Sequence, residues 1–177
     1  MEHYQKHLFF VDSGVTITVD KEINALQRRF GFSEEMRKLI LIQTQSRSEN
    51  ANYFGKGESK TESTVVQWYT FDGVDEVWDI MERNEDCILS DYLFVFAQDQ
   101  EGNQYAEITK GKRKGHIVWL NALCYADVDS LEELIEERLE QLGASPLWMD
   151  EELIFNLLYT DHQMVEIRAN SLDLFLS

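Results

Sequence analysis

The side chains of this chain that could do chemistry are mostly carboxylates. Asp and Glu number 33 against 16 Lys and Arg, a formal net charge of -17. They are also bunched. From Ala126 to Phe155 there are ten acidic residues and one basic residue, Arg138; from Asp72 to Asp91 there are eight and one, Arg83. Past Ser130, the pairs Glu132/Glu136, Glu133/Glu137 and Glu136/Glu140 lie four apart. On a helix each such like-charge pair costs ~0.2–0.5 kcal/mol. A helix carrying them presents either a plain solvated face or a surface awaiting a basic partner. Two carboxylates could also serve as a catalytic acid and base, but such abundance makes any chosen pair incidental.

Other chemistry has less support. The four histidines are His3, His7, His116 and His162. His3 and His7 are four apart in a strand-like pattern, so they need not share a face, and no zinc site is expected. Asp99-Gln100-Glu101-Gly102-Asn103 is too short for a calcium-binding loop. Cys87 and Cys124 have no cysteine partner nearby and no catalytic setting, so they read as reduced, small apolar residues. No nucleophile elbow, Walker loop or dinucleotide glycine fingerprint occurs. Neither an enzyme nor a cofactor is expected. The stretch Lys110 to Gly115 carries four cations. It reads as a hairpin tip, where basic residues discourage edge pairing, with phosphate binding as the alternative.

The charge balance narrows the choice of partner. It repels nucleic acid and anionic membrane surfaces and speeds encounter with basic proteins. No apolar run approaches the ~20 residues of a membrane span. The opening MEHYQKHLFFVDSG lacks a signal peptide's apolar centre and cleavage site. A cytoplasmic location is the expectation.

These residues need elements to position them. With 177 residues, 44% hydrophobic and 12% aromatic, the chain suits one folded domain. The organising stretch is Tyr92 to Asn121. Leu93 to Ala97 is a nearly continuous apolar run, as in a strand covered on both faces. Gln98 to Asn103 is an acidic turn. Tyr105, Glu107 and Thr109 alternate with Ala106 and Ile108, which predicts a half-buried strand. His116 to Leu120 is a third strand. The three make a meander that helices must cover.

Before the meander, His7 to Val11 and Val15 to Val19 predict an N-terminal hairpin turning at Asp12-Ser13-Gly14. Asp20 then caps a helix with Ile23, Leu26 and Phe30 on one face, ended by Gly31. Ser33 caps a second helix with Met36, Leu39 and Ile40 inward. Asn52 to Gly55 is a short strand and Thr64 to Phe71 a longer one. Asp75 to Asn84 is helical, with Val77, Ile80 and Met81 inward. After the meander, Ser130 and Glu133 form a capping box. Leu131, Leu134, Ile135, Leu139 and Leu142 line one face of that helix, and Gly143 closes it. Asp150 to Tyr159 predicts a helix and Met164 to Arg168 a strand. The expected class is α+β: an antiparallel or mixed sheet built on a meander and packed by N-terminal and C-terminal helices. The expected division is a hairpin extension over 1–19, a domain over 20–142, and an extension over 143–177 packing on the same domain.

This order resembles the SUKH superfamily, a domain type shared by yeast cell-wall regulators and many bacterial proteins. The resemblance rests on Phe96, Ala97, Asp99, Gly102 and Tyr105, on the glycine-led strand Gly115, Ile117, Val118 and Trp119, and on Ala126, Asp127, Ser130 and Leu131 at a helix start. It covers roughly Asp20 to Leu142. The family's Leu-Pro before the second helix is replaced here by Phe32-Ser33, and its Asn-Gly-Gly is missing. The resemblance implies an α+β domain without catalysis, often an immunity protein that neutralises a toxin by direct contact. That agrees with the charge: toxins acting on nucleic acid tend to be basic.

The leading expectation is therefore an immunity-type protein, a monomer or homodimer, that binds a basic toxin domain. On charge density its contact residues are Glu132, Glu133, Glu136, Glu137 and Glu140, with Asp99 and Glu101 as a second patch. The rival is a general interaction or scaffold module, followed by a hydrolase using an acidic cleft.

Overall fold

The computed structural model describes residues 17–46, 52–55, 64–69, 74–87, 89–121, 130–143 and 165–176. Helix α1 is Ile17–Phe30 and α2 is Glu34–Ser46. Strands β1, Asn52–Gly55, and β2, Thr64–Trp68, come next, followed by α3, Val74–Glu85. The meander is β3, Leu93–Gln98, β4, Gln104–Ile108, and β5, Ile117–Leu120. Helix α4 is Leu131–Leu142, strand β6 is Val165–Ala169, and α5 is a single turn, Leu172–Phe175. The six strands lie side by side in chain order, and each neighbouring pair is antiparallel. The chain is an α+β protein.

The sheet has two buried faces. Phe94, Phe96, Tyr105, Ile117 and Ala169 meet Ile23, Leu26 and Phe30 of α1, Met36, Leu39 and Ile40 of α2, Ile80 of α3, and Leu172 and Phe175 of α5. Leu93, Val95, Ala106, Ile108, Val118, Leu120 and Val165 meet Leu134 of α4 and the segment carrying Cys87, Leu89 and Tyr92. The apolar positions expected inside α1 and α2 are buried, because helical spacing keeps each set on one side. Each large side chain buried in this way contributes ~1.5–3 kcal/mol.

The corner between α1 and α2 depends on Gly31. Its φ is 77°, and its N–H donates to the Gln27 carbonyl at 2.8 Å. A Cβ there would meet Thr109 at no closer than 3.8 Å, so the left-handed backbone, not lack of space, calls for glycine. Two residues on, Ser33 caps α2: its Oγ accepts from the Met36 N–H at 3.1 Å.

Two expectations need correction. Ile17, Thr18 and Val19 belong to the first turn of α1, not to a strand, so Asp20 lies inside the helix and does not cap it. The alternation of Val15 to Val19 is short, and extending a helix already formed adds one backbone hydrogen bond per residue. The other correction concerns β4, which is buried on both sides from Tyr105 to Ile108, not half-buried. Helices on both faces of the sheet override the alternating pattern. The rest of the expected hairpin, residues 1–16, and the helix expected over Asp150 to Tyr159 lie outside the described residues.

The expected late strand is present as β6. It pairs with β5 from Leu120↔Val165 to Ile117↔Ala169, so residues beyond 143 complete the sheet. Among the described residues, no helix is long and apolar enough to cross a membrane.

Candidate interaction surface

Helix α4 is closed at both ends. Ser130 has extended backbone and accepts from the Glu133 N–H at 3.2 Å. Gly143, at φ 62°, adopts the left-handed conformation, and its N–H reaches back to the Glu140 carbonyl at 3.1 Å. These caps satisfy backbone groups that the ends of a helix otherwise leave open. Leu134, Ile135 and Leu139 are buried beneath the helix. Glu132, Glu133, Glu136, Glu137 and Glu140 are all exposed on its outer side. The last turn holds no basic residue to offset Glu140 at the negative end of the helix dipole. The sequence therefore arranges both the stripe of leucines and isoleucine below and the row of carboxylates above.

Asp99 does not belong to that surface. It is only 8% exposed, and its carboxylate is used internally. Oδ1 accepts from the Glu101 and Asn103 backbone N–H groups, each at 2.9 Å. Oδ2 accepts from Asn103 Nδ2 at 3.0 Å and from the Trp119 indole N–H at 3.1 Å. The Asp99 side chain thus shapes the turn it sits in, as Asx residues do. Trp119 packs toward the α1–α2 side of the sheet while α4 covers the other. The structure therefore does not bring Asp99 together with the α4 glutamates. Glu101 stands exposed at the turn.

The turn is braced from β6. The register between β5 and β6 slips between Ile117 and Val118, leaving Arg168 as the extra residue. Its guanidinium lies 5.2 Å from the Trp119 ring centroid and bonds Glu166 at 3.0 Å. Glu166, Arg168, Trp119 and Asp99 form one continuous set of contacts along this margin.

Two buried polar residues escaped sequence reasoning. Asn84, fully buried at the end of α3, works as a substitute strand residue. Its Oδ1 accepts from the Val95 N–H at 2.7 Å, and its Nδ2 donates to the Val95 carbonyl at 3.0 Å. The same nitrogen donates to the Ile80 carbonyl at 2.9 Å. Among the described residues β2 pairs with β3 at Gln98 and Ala97 and the Tyr69 N–H donates to the Phe96 carbonyl, and the side-chain amide takes the next position, Val95. The signal in the sequence was faint: an Asn in the last turn of an otherwise amphipathic helix.

Glu107 is the other. It is 0% exposed on β4, flanked by Phe94 on β3 and Ile117 on β5. Its Oε1 accepts from the Ser33 N–H at 2.8 Å, and its Oε2 is 3.0 Å from Ser33 Oγ. Burial pushes its carboxyl up to about 7, although the Ser33 bonds pull the other way. The alternating pattern carried half the signal, since it put Glu107 on the same face as Tyr105. It could not indicate that this face is the covered one.

The remaining candidates for chemistry are subdued. Cys87 is a buried free thiol whose ionisation burial pushes up, which makes it a poor nucleophile. Among the described residues, no group of three or more His, Cys, Asp or Glu is placed to hold a metal ion. The tip Lys110 to Gly115 is a tight turn, closed by Gly115 N–H to the Ile108 carbonyl at 2.8 Å and His116 N–H to the Arg113 carbonyl at 3.0 Å. Comparison of the chain with protein-family models, with curated proteins and with solved structures returns no match.

Proposed function

We propose that this chain is a non-catalytic binding protein of the immunity type, which neutralises a basic protein partner through the outer face of α4. The observation that carries the reading is the row of five exposed glutamates on a helix capped at both ends, in a chain of net charge -17. A helix capped at both ends fixes the backbone that carries the carboxylates, so little backbone freedom is lost on docking. Long-range attraction to a basic surface raises the association rate and disfavours acidic competitors. The order of elements, two helices, a meander and a helix on the far face, supports the SUKH-like reading on which the immunity role rests. Glu107 does not favour an enzyme. Its raised carboxyl is sealed between sheet and helices, out of reach of a substrate.

The test has two stages. The purified protein is used as bait in its host, and recovered proteins are screened for killing of cells that lack it. The association rate with a recovered toxin is then measured for wild type and for a variant carrying Glu133→Lys, Glu136→Lys and Glu137→Lys. The proposal expects at least tenfold slower association for the variant at low salt, with the difference shrinking as salt rises. Equal rates at all salt concentrations would remove α4 from the interface.

A further inference from the structure

The buried titratable group left unused by the binding reading is Glu107, and what it holds is the corner between two helices. Gly31, Phe32 and Ser33 connect α1 to α2. Phe32 packs on Phe94 with ring centroids 4.2 Å apart. Both polar atoms of Ser33 that face the sheet, N and Oγ, contact the Glu107 carboxyl. We propose that this corner is a pH-sensitive hinge, docked on β4 most tightly when Glu107 is neutral and loosened when it ionises. The proposal is independent of the partner bound by α4.

The surroundings explain why the charge matters. From α2, Glu35 repels an ionised Glu107; from the β4–β5 turn, Lys114 attracts it. β3 presents Phe94 and β5 presents Ile117, preceded by the half-buried His116; the hydrocarbon neighbours solvate no charge. Further along the same face of β4, the Thr109 hydroxyl is buried without a hydrogen-bond partner. The corner supplies only the Ser33 N–H, the Ser33 hydroxyl and the α2 N-terminus as compensation.

The contact itself survives either state. With Glu107 ionised, Ser33 Oγ–H donates to Oε2; with Glu107 neutral, Oε2–H donates to Ser33 Oγ. In both cases Ser33 Oγ still accepts from Met36. The hydrogen bonds persist and strengthen when Glu107 ionises, but the cost of the buried charge outweighs that gain, so the equilibrium between docked and opened corner follows pH. Opening therefore rises from about pH 4.5, the exposed value of the carboxyl, to about 7, its docked value, and levels off above that.

Hydrogen exchange on the full-length protein tests this. Opening constants for the Gly31, Ser33 and Met36 amides, corrected for intrinsic exchange, are compared at pH 5.5 and 8.5. The expectation is a tenfold or greater rise in opening at the higher pH, since each unit of pKa shift is a factor of ten. The α4 amides report any change in global stability, and the rise at the corner is read in excess of theirs. Glu107→Gln is expected to flatten the dependence. A flat wild type, or an undiminished dependence in Glu107→Gln, overturns the proposal. If that variant does not fold, carboxyl carbon NMR of the wild type decides the matter. A Glu107 midpoint near neutrality with corner opening that rises as it ionises upholds the hinge; a midpoint near the ordinary 4.5, or opening that does not follow the ionisation, sinks it.

Discussion

Two buried polar side chains, Glu107 and Asn84, tie helices to the sheet at single points. The Glu107 carboxyl titrates at about 7 in the folded chain against 4.5 when exposed. Between those values the folded state holds a proton that the unfolded chain has released. Its contribution to stability is therefore complete below about pH 4.5, falls as pH rises, and is gone above about 7. The loss amounts to about 3 kcal/mol at most. Chemical denaturation from pH 5 to 8 should show this decline in wild type and lack most of it in Glu107→Gln. Asn84 makes a sharper prediction. Replacement by Ala leaves the Val95 N–H and carbonyl unpaired in the interior and should cost about 2–4 kcal/mol, read as a lower urea midpoint. An unchanged midpoint would mean that water or a backbone shift replaces the amide.

If α4 is the proposed contact face, its glutamates act on binding and on stability in opposite directions, which can be measured. Its glutamates repel one another at four-residue spacing, and nothing basic in the last turn relieves them. Glu136→Lys turns two repulsive pairs, with Glu132 and with Glu140, into attractive ones. The variant should be more stable by about 0.8–2 kcal/mol and yet associate more slowly with a basic partner. A residue placed for folding alone would not show that divergence. Ser130→Ala should do the reverse: it removes the cap, costs about 1 kcal/mol, and leaves the association rate alone. Thermal melts and stopped-flow association on the same preparations compare the two. Much of α4 was legible in advance, because caps and heptad-like spacing act locally. The burial of Asp99, expected in an exposed second patch, was not legible, because the indole and backbone groups that hold its carboxylate come from Trp119 and from the folded turn.

Across the whole molecule, the meander depends on chain that arrives late. β6 lies along β5, and α5 sets Phe175 against Phe96 and Tyr105, with centroids 6.1 and 5.4 Å away. A chain ending at Gly143 would expose the β5 edge and part of the aromatic core. The truncated protein should lose cooperative unfolding and aggregate through that edge, as checked by calorimetry and size-exclusion chromatography. A truncated protein that stays monomeric with an unchanged melting temperature would make the last strand an accessory.

The sequence alone determined what depends on neighbours a few residues apart: the inward faces of α1, α2 and α4, the capping serines, the glycine stops, the three meander strands and the acidic character of the surface. Tertiary structure alone decided that two carboxylates of the meander are buried. Glu107 and Asp99 look like any other acid in the chain. One is buried because the α1–α2 corner closes over its face of β4, and the other because Trp119 reaches it from a strand twenty residues on. Burial and pairing of a charge depend on what the fold brings from far along the chain, and local spacing carries no record of that.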